Sequence, residues 1–165
     1  GPEYVKKLVH MMRSEIPGIV LRTAFIVGYP GETESKFQAL CDFVEEMEFD
    51  NAGFFAFSPE EGTSAALLPG QLPEGLKEKR LKKIHSIQKK VSRRLNRRYL
   101  GRTMEVLVHG VSGASEHLLE GRHGGQAPDI DGVVFINEGL AKPGDIVECE
   151  ITQAADYDLV GRIRE

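Results

Sequence analysis

Thiols come first, because they are the scarcest chemical groups in the chain. There are two, Cys41 and Cys149, among 165 residues. They lie far apart, each in an apolar-periodic context, so they read as reduced core residues and not as a disulfide or a metal pair. An iron–sulfur cluster is held by several anionic sulfur ligands, which two isolated cysteines cannot supply. His85, His109, His117 and His123 stand singly, and no pair has the spacing of a metal site. Surface or hydrogen-bonding roles suit them. Arg22 is different. It interrupts the apolar run from Ile19 to Val27, where a charge is costly unless it is paired or faces a polar site. An ion pair with Glu60 or Glu61 would serve equally. A second group lies near the carboxyl end. The segment Gly121-Arg122 … Gln126-Ala127-Pro128-Asp129-Ile130-Asp131-Gly132 sets two carboxylates beside a guanidinium. That loop could receive a cationic partner, or Asp131 could simply cap the Asp-Gly bend.

These residues need a scaffold. The apolar, β-branched run over 19–28 predicts a buried parallel strand with both faces covered. Gly28-Tyr29-Pro30-Gly31 ends it in a tight turn, and Thr33 offers an N-cap for the helix that follows. In a βα unit of a barrel, chemistry belongs in the loop at the strand's carboxyl end. Around this strand the pattern predicts a helix over 3–16, stopped by Pro17-Gly18, a helix over 34–48 and a strand over 52–57. The result is α-β-α-β with crossover-length connections. Two parallel strands leave their edges open, so the sequence reads as part of a larger α/β domain. We therefore expect the chain to be a fragment, in which the open strand edges and the apolar faces of helices 3–16 and 34–48 drive self-association or disorder in residues 1–70.

Residues 58–73 form a Gly/Pro-rich loop. A long helix over 74–99 follows, with a narrow apolar stripe and otherwise basic faces. After Gly101 the period falls from 3.6 to 2. Strands are predicted at 104–108, 117–121, 132–136, 146–151 and 159–163, with glycine-rich turns between them. Five short strands in this span predict an all-β, antiparallel barrel of the oligonucleotide-binding (OB) type. The expected domains are thus 1–73, a connecting helix 74–100, and 101–165.

At 41% hydrophobic and 28% charged residues, the composition is that of an ordinary globular chain. There is no run apolar enough to span a bilayer and no leader-like segment, which predicts a cytoplasmic protein without a membrane partner. The net charge of −4 conceals segregation. Residues 1–70 hold 5 Lys+Arg and 11 Asp+Glu, residues 71–100 hold 11 and 2, and residues 101–165 hold 5 and 12. The basic helix suggests a solvated connector or an arm that touches ribosomal RNA phosphate. The acidic barrel repels phosphate and suits a Lys/Arg-rich protein.

Three stretches also carry a resemblance: LRT followed by VGYPGETE, FFAFSPEEGTSAA at 54–66, and GRHGGQAPDIDGVVFI at 121–136. Over nearly its whole length the chain resembles radical S-adenosylmethionine methylthiotransferases of the RimO type, which methylthiolate an aspartate β-carbon in a small-subunit ribosomal protein. Residues 101–165 resemble their TRAM domain. The resemblance implies a partial radical-enzyme (TIM-like) barrel before the TRAM barrel. For the complete enzyme it implies S-adenosylmethionine and two [4Fe-4S] clusters. One cofactor molecule would supply methyl and another the radical, and the inserted sulfur would come from an auxiliary cluster site.

The family holds one cluster with a CxxxCxxC set. The chain lacks that spacing, so the fragment is expected to bind no cofactor and to be inactive, with no catalytic or metal-ligating residue of its own. By the resemblance, Ile26 and Gly28 line the adenosine pocket. The family's GxIxGxxE pattern is met only in part: Ala24 replaces the first glycine and the glutamate falls one place late, at Glu32. Arg22 is the candidate to reach the cofactor carboxylate or the target aspartate. Arg122, Asp129 and Asp131 are the candidates for substrate recognition. A transfer-RNA methylthiotransferase fragment and a non-catalytic RNA-binding module are the alternatives; the acidic barrel opposes both.

Overall fold

The computed structural model describes residues 1–164, which divide into two compact units, 1–91 and the described residues from Ser92 onward. The sequence predicted boundaries at 73/74 and 100/101. The observed change falls inside the long helix, because the first part of that helix is packed into the first unit.

In the first unit, α1 (Pro2–Glu15) leads to β1 (Arg22–Val27), α2 (Glu34–Met47) and β2 (Asn51–Ala56). A loop with one 3-10 turn at Ser64–Leu67 leads to α3 (Glu74–Asn96). Strands β1 and β2 pair in parallel, with Arg22 opposite Asn51, Ala24 opposite Gly53 and Ile26 opposite Phe55. Thr33 caps α2, accepting a hydrogen bond from the Lys36 amide at 3.3 Å. The other end of α2 is crowded with glutamates, which the helix dipole disfavours. Cations of α1 offset this: Lys6 Nζ meets Glu46 at 2.5 Å, and Arg13 Nη2 donates to the Glu48 carbonyl at 2.8 Å.

The core of this unit is Val27, Phe37, Cys41, Val44, Phe54 and Ile84, continued by Val9, Leu21, Met47 and Phe49. Only one face of the sheet is covered. The other, carrying Arg22, Ala24 and Ile26, is exposed along β1. This corrects the expectation of a strand buried on both faces: the helices pack against Phe25, Val27 and Phe54, leaving Ile26 57% and Phe55 61% exposed. The α3 stripe also differs from its prediction. Lys77, Arg80, Ile84, Gln88 and Val91 are its buried residues here, so two of its cations point inward.

The second unit is a closed barrel of β3 (Thr103–Ser112), β4 (Ser115–His123), β5 (Val134–Glu138), β6 (Ile146–Ala154) and β7 (Leu159–Ile163), in the order β3-β4-β5-β7-β6. The strands run longer than predicted in β3, β4 and β6, since alternation fades before pairing does. Strands β5 and β7 are parallel, so the barrel is mixed and not antiparallel. The reason is parity. Strand directions can alternate around a closed ring only if the number of strands is even. Val106, Val108, Val134, Ile136, Cys149, Ile151 and Leu159 fill the interior, and Tyr99 packs against them. No helix among the described residues is long and apolar enough to cross a membrane.

Candidate functional site

In the first unit the polar architecture gathers at the carboxyl ends of β1 and β2. Gly28 follows β1 with φ +76, a conformation that favours glycine, and a Cβ there would stand 2.5 Å from Lys77 Cγ. The Gly28 amide donates to Glu32 Oε1 at 2.9 Å, and Arg80 Nη1 reaches the same oxygen at 2.6 Å. Glu32 therefore serves as a tie between the loop and α3. Its neighbours fix the turn further: the Glu32 amide donates to the Tyr29 carbonyl at 2.9 Å, and the Gly31 amide to the Gly70 carbonyl at 2.9 Å. Lys77 Nζ donates to the Phe57 carbonyl at 2.9 Å, just past β2.

The open face leads to this loop. Ala24 and Gly53 are register partners with almost no side chain, and the next pair, Ile26 and Phe55, is apolar and exposed. A shelf of small residues beside two apolar ones suits a flat heteroaromatic base. Ile26 and Gly28 are thus adjacent at one end of β1. Arg22 shares the face of Ile26 but opens the strand, about 20 Å of extended chain from Gly28. Glu60 and Glu61 are exposed, and the Glu60 carbonyl accepts from Thr63, which caps the 3-10 turn.

In the second unit the recognition candidates separate by role. Arg122 Nη1 lies 2.9 Å from His109 Nε2 across β3 and β4. Asp131 Oδ2 accepts from the Ala127 amide at 2.6 Å, so it closes its own loop as a cap. Asp129 is exposed, with φ +62, and beside it Ile130 is 76% exposed. The loop rests on the β6–β7 turn, where the Val133 amide donates to Asp158 Oδ1 at 2.9 Å. Elsewhere on the barrel Glu150 accepts from Arg162 and Arg164 at 3.1–3.2 Å, and these bonds hold its carboxyl below the usual range. Sequence reasoning missed the ties of Lys77 to the Phe57 carbonyl and of Arg80 to Glu32, and the exposure of Ile130. A helix stripe read with its cations facing inward would have found the first.

No group of three or more His, Cys, Asp or Glu among the described residues could hold a metal ion. Burial raises the Cys41 thiol and pushes that of Cys149 up to about 11. Two neutral, buried thiols, one in each unit, do not fit an iron–sulfur cluster. We expect iodoacetamide at pH 8 to label Cys149 in the folded chain roughly a hundredfold more slowly than an unfolded thiol, given its thiolate fraction. Mass spectrometry before and after denaturation checks this, and rapid labelling of the native chain would contradict it.

A TRAM-domain family profile matches residues 100–163. The chain is 50% identical over 163 residues to a ribosomal protein uS12 methylthiotransferase RimO of Myxococcus xanthus, covering 99% of this chain and 34% of that protein. The RimO protein of Anaeromyxobacter sp. (strain K) is 51% identical over 160 residues, covering 97% and 34%. That of Geobacter sulfurreducens is 50% identical over 159 residues, covering 96% and 36%. The chain thus spans about a third of the length of these curated relatives. With half of its residues shared along nearly all of its length, and the TRAM barrel in place, the chain matches the carboxyl-terminal segment of a RimO-type protein.

Proposed function

We propose that the chain is the carboxyl-terminal segment of a cytoplasmic radical S-adenosylmethionine methylthiotransferase that modifies an aspartate of ribosomal protein uS12. The observation that carries this reading is the half-identity to proteins of that name along 99% of the chain. In it, the open face of β1 and β2 is one wall of a TIM-like barrel, and residues 1–73 belong to that barrel. Ile26 and Gly28, with Ala24 and Gly53, bed the cofactor's base, and Arg22 supplies a charge along the same face. When bound, S-adenosylmethionine supplies the methyl group and the hydrogen-abstracting radical. The residues present do not fit the clusters, whose ligands would lie outside these 165 residues. By itself the chain is inactive.

The barrel's share is target recognition. Residues 101–165 carry 12 Asp+Glu against 5 Lys+Arg, which suits a cationic protein. Asp129 and Ile130 are presented at a loop tip, and Asp131 and Asp158 hold that loop in shape. Arg122 borders the loop from β4. A second reading, contact with ribosomal RNA through α3, is favoured by one feature. Arg98 stacks over Tyr99 at 4.9 Å, beside the exposed Arg93, Arg94 and Arg97.

Titrating the 165-residue chain with purified uS12 and with a ribosomal RNA hairpin separates the readings. We expect uS12 to bind, with affinity falling about tenfold between 50 and 200 mM salt as charges are screened. Asp129→Asn with Ile130→Ser should weaken that binding. RNA binding without uS12 binding would reverse the assignment.

The isolated chain should also self-associate through its uncovered apolar face. Ile26→Ser with Phe55→Ser should shift light scattering toward monomer. An unmodified chain that scatters as a monomer at high concentration would contradict this.

A further inference from the structure

Burying a charge is expensive, yet α3 turns two cations into the first unit. Arg80 and Lys77 are each 4% exposed. Both stand on the stripe that continues with Ile84, Gln88 and Val91. Apolar residues at 77 and 80 would extend that stripe without the desolvation of two charges. A buried ion pair is weak evidence of a stabilising role, since well-packed apolar replacements are often as stable or more so. What such a pair does provide is a fixed geometry.

The geometry here is specific. Arg80 Nη1 donates to Glu32 Oε1 at 2.6 Å and to the Glu32 carbonyl at 3.0 Å, while Nη2 reaches Glu34 Oε2 at 3.2 Å. The same Glu32 oxygen accepts from the Gly28 amide. One carboxylate oxygen thus joins the helix to the first residue after β1. The Arg80 guanidinium lies over the Phe37 ring at 5.2 Å, which fixes its plane from the α2 side. One turn earlier, Lys77 does the same for β2. Its Nζ holds the Phe57 carbonyl, its stem fills the space beside Gly28, and the Phe57 amide donates to the Val27 carbonyl at 2.8 Å. Both strand ends are therefore referenced to one helix face through hydrogen bonds, which are directional, and not only through the apolar core that Ile84 shares with Val27 and Phe54, which is not.

We propose that Arg80 and Glu32 are positioning residues: they set where Gly28 and its loop stand at the carboxyl end of the sheet, and so set the shape of the cofactor bed. This rests on the reading that Ile26 and Gly28 line that bed. Neither side chain is assigned a contact with the cofactor.

The test uses the complete cluster-loaded protein for affinity and the 165-residue chain for amide exchange. In the double variant Arg80→Met/Glu32→Leu no buried charge is left unpaired, since Glu34, the other carboxylate that Arg80 reaches, is largely exposed. We expect its melting temperature to stay within about 5 °C of the parent. Its Gly28 amide should exchange at least tenfold faster, and S-adenosylmethionine should bind at least tenfold more weakly. Arg80→Lys keeps the charge but loses the planar fork. It should fold normally and bind several-fold more weakly, and it decides the matter should the double variant fail to fold. Equal cofactor affinity in parent and folded variants overturns the proposal and leaves the proposed function standing. A parent protein that does not bind S-adenosylmethionine overturns both.

Discussion

Replacing Phe37 with alanine should produce one of the two largest losses of stability, and the loss should be confined to the first unit. Phe37 is 1% exposed and packs with Val27, Cys41, Val44, Phe54 and Ile84. Its ring also lies beneath Arg80 and Lys83, at 5.2 and 5.4 Å. Truncation removes the ring's transfer free energy and opens a cavity that α2, β1 and α3 can close only in part. Phe→Ala changes at such sites cost about 3–5 kcal/mol. Amide exchange resolves this residue by residue. Protected amides of Val27 and Val44 should speed up roughly a hundred- to a few thousandfold, at about 1.4 kcal/mol per tenfold. Those of Val106 and Ile151 in the barrel should hold their rates. Uniform acceleration across both units would show that they do not unfold separately.

The second large effect needs only one added methyl group, at Gly132. An ideal Cβ there would overlap the Tyr157 carbonyl oxygen, stand 2.5 Å from its carbonyl carbon and lie 2.9 Å from Asp158 Oδ1. These are mostly backbone atoms of the β6–β7 turn, held by the Ala155 amide donating to the Asp158 carbonyl at 2.8 Å. They cannot swing aside as a side-chain end would. Gly132→Ala must therefore push apart two loops that the Val133–Asp158 hydrogen bond draws together. Overpacking of this kind costs about 1–3 kcal/mol, and backbone contact argues for the upper end. For a barrel of this size that is a fall in melting temperature of roughly 10–20 °C. Gly113→Ala is the control, since a Cβ there meets nothing within 4 Å. Were both variants to melt alike, the close approach of the two loops would be wrong.

The contrast between these positions marks what a linear reading could reach. The core helix face around Phe37 was legible, because Phe37, Leu40, Cys41, Val44 and Met47 recur at three- and four-residue spacing. The Thr33 cap was legible too, because capping is local chemistry between residues three apart. Gly132 was legible only as part of an Asp-Gly bend. That a methyl there would meet Tyr157 depends on a loop far along the chain. Asp131 was legible as a cap or as a recognition group; the fold makes it a cap, on the Ala127 amide, and leaves Asp129 exposed. Arg22 and Gly28 both fall in the run 19–28, and the extension of β1 puts them at opposite ends.

The sequence by itself determined the periodicities: helix, strand, the switch of period near Gly101, the two inert thiols and the segregation of charge. Each follows from residues near one another along the chain. Tertiary structure alone decided which face of the β1–β2 sheet stays open, that β5 and β7 run parallel, and that Lys77 and Arg80 turn inward. Those outcomes depend on which elements become neighbours. A buried cation is written like any surface lysine or arginine until the carboxylate or carbonyl that receives it has been brought into place.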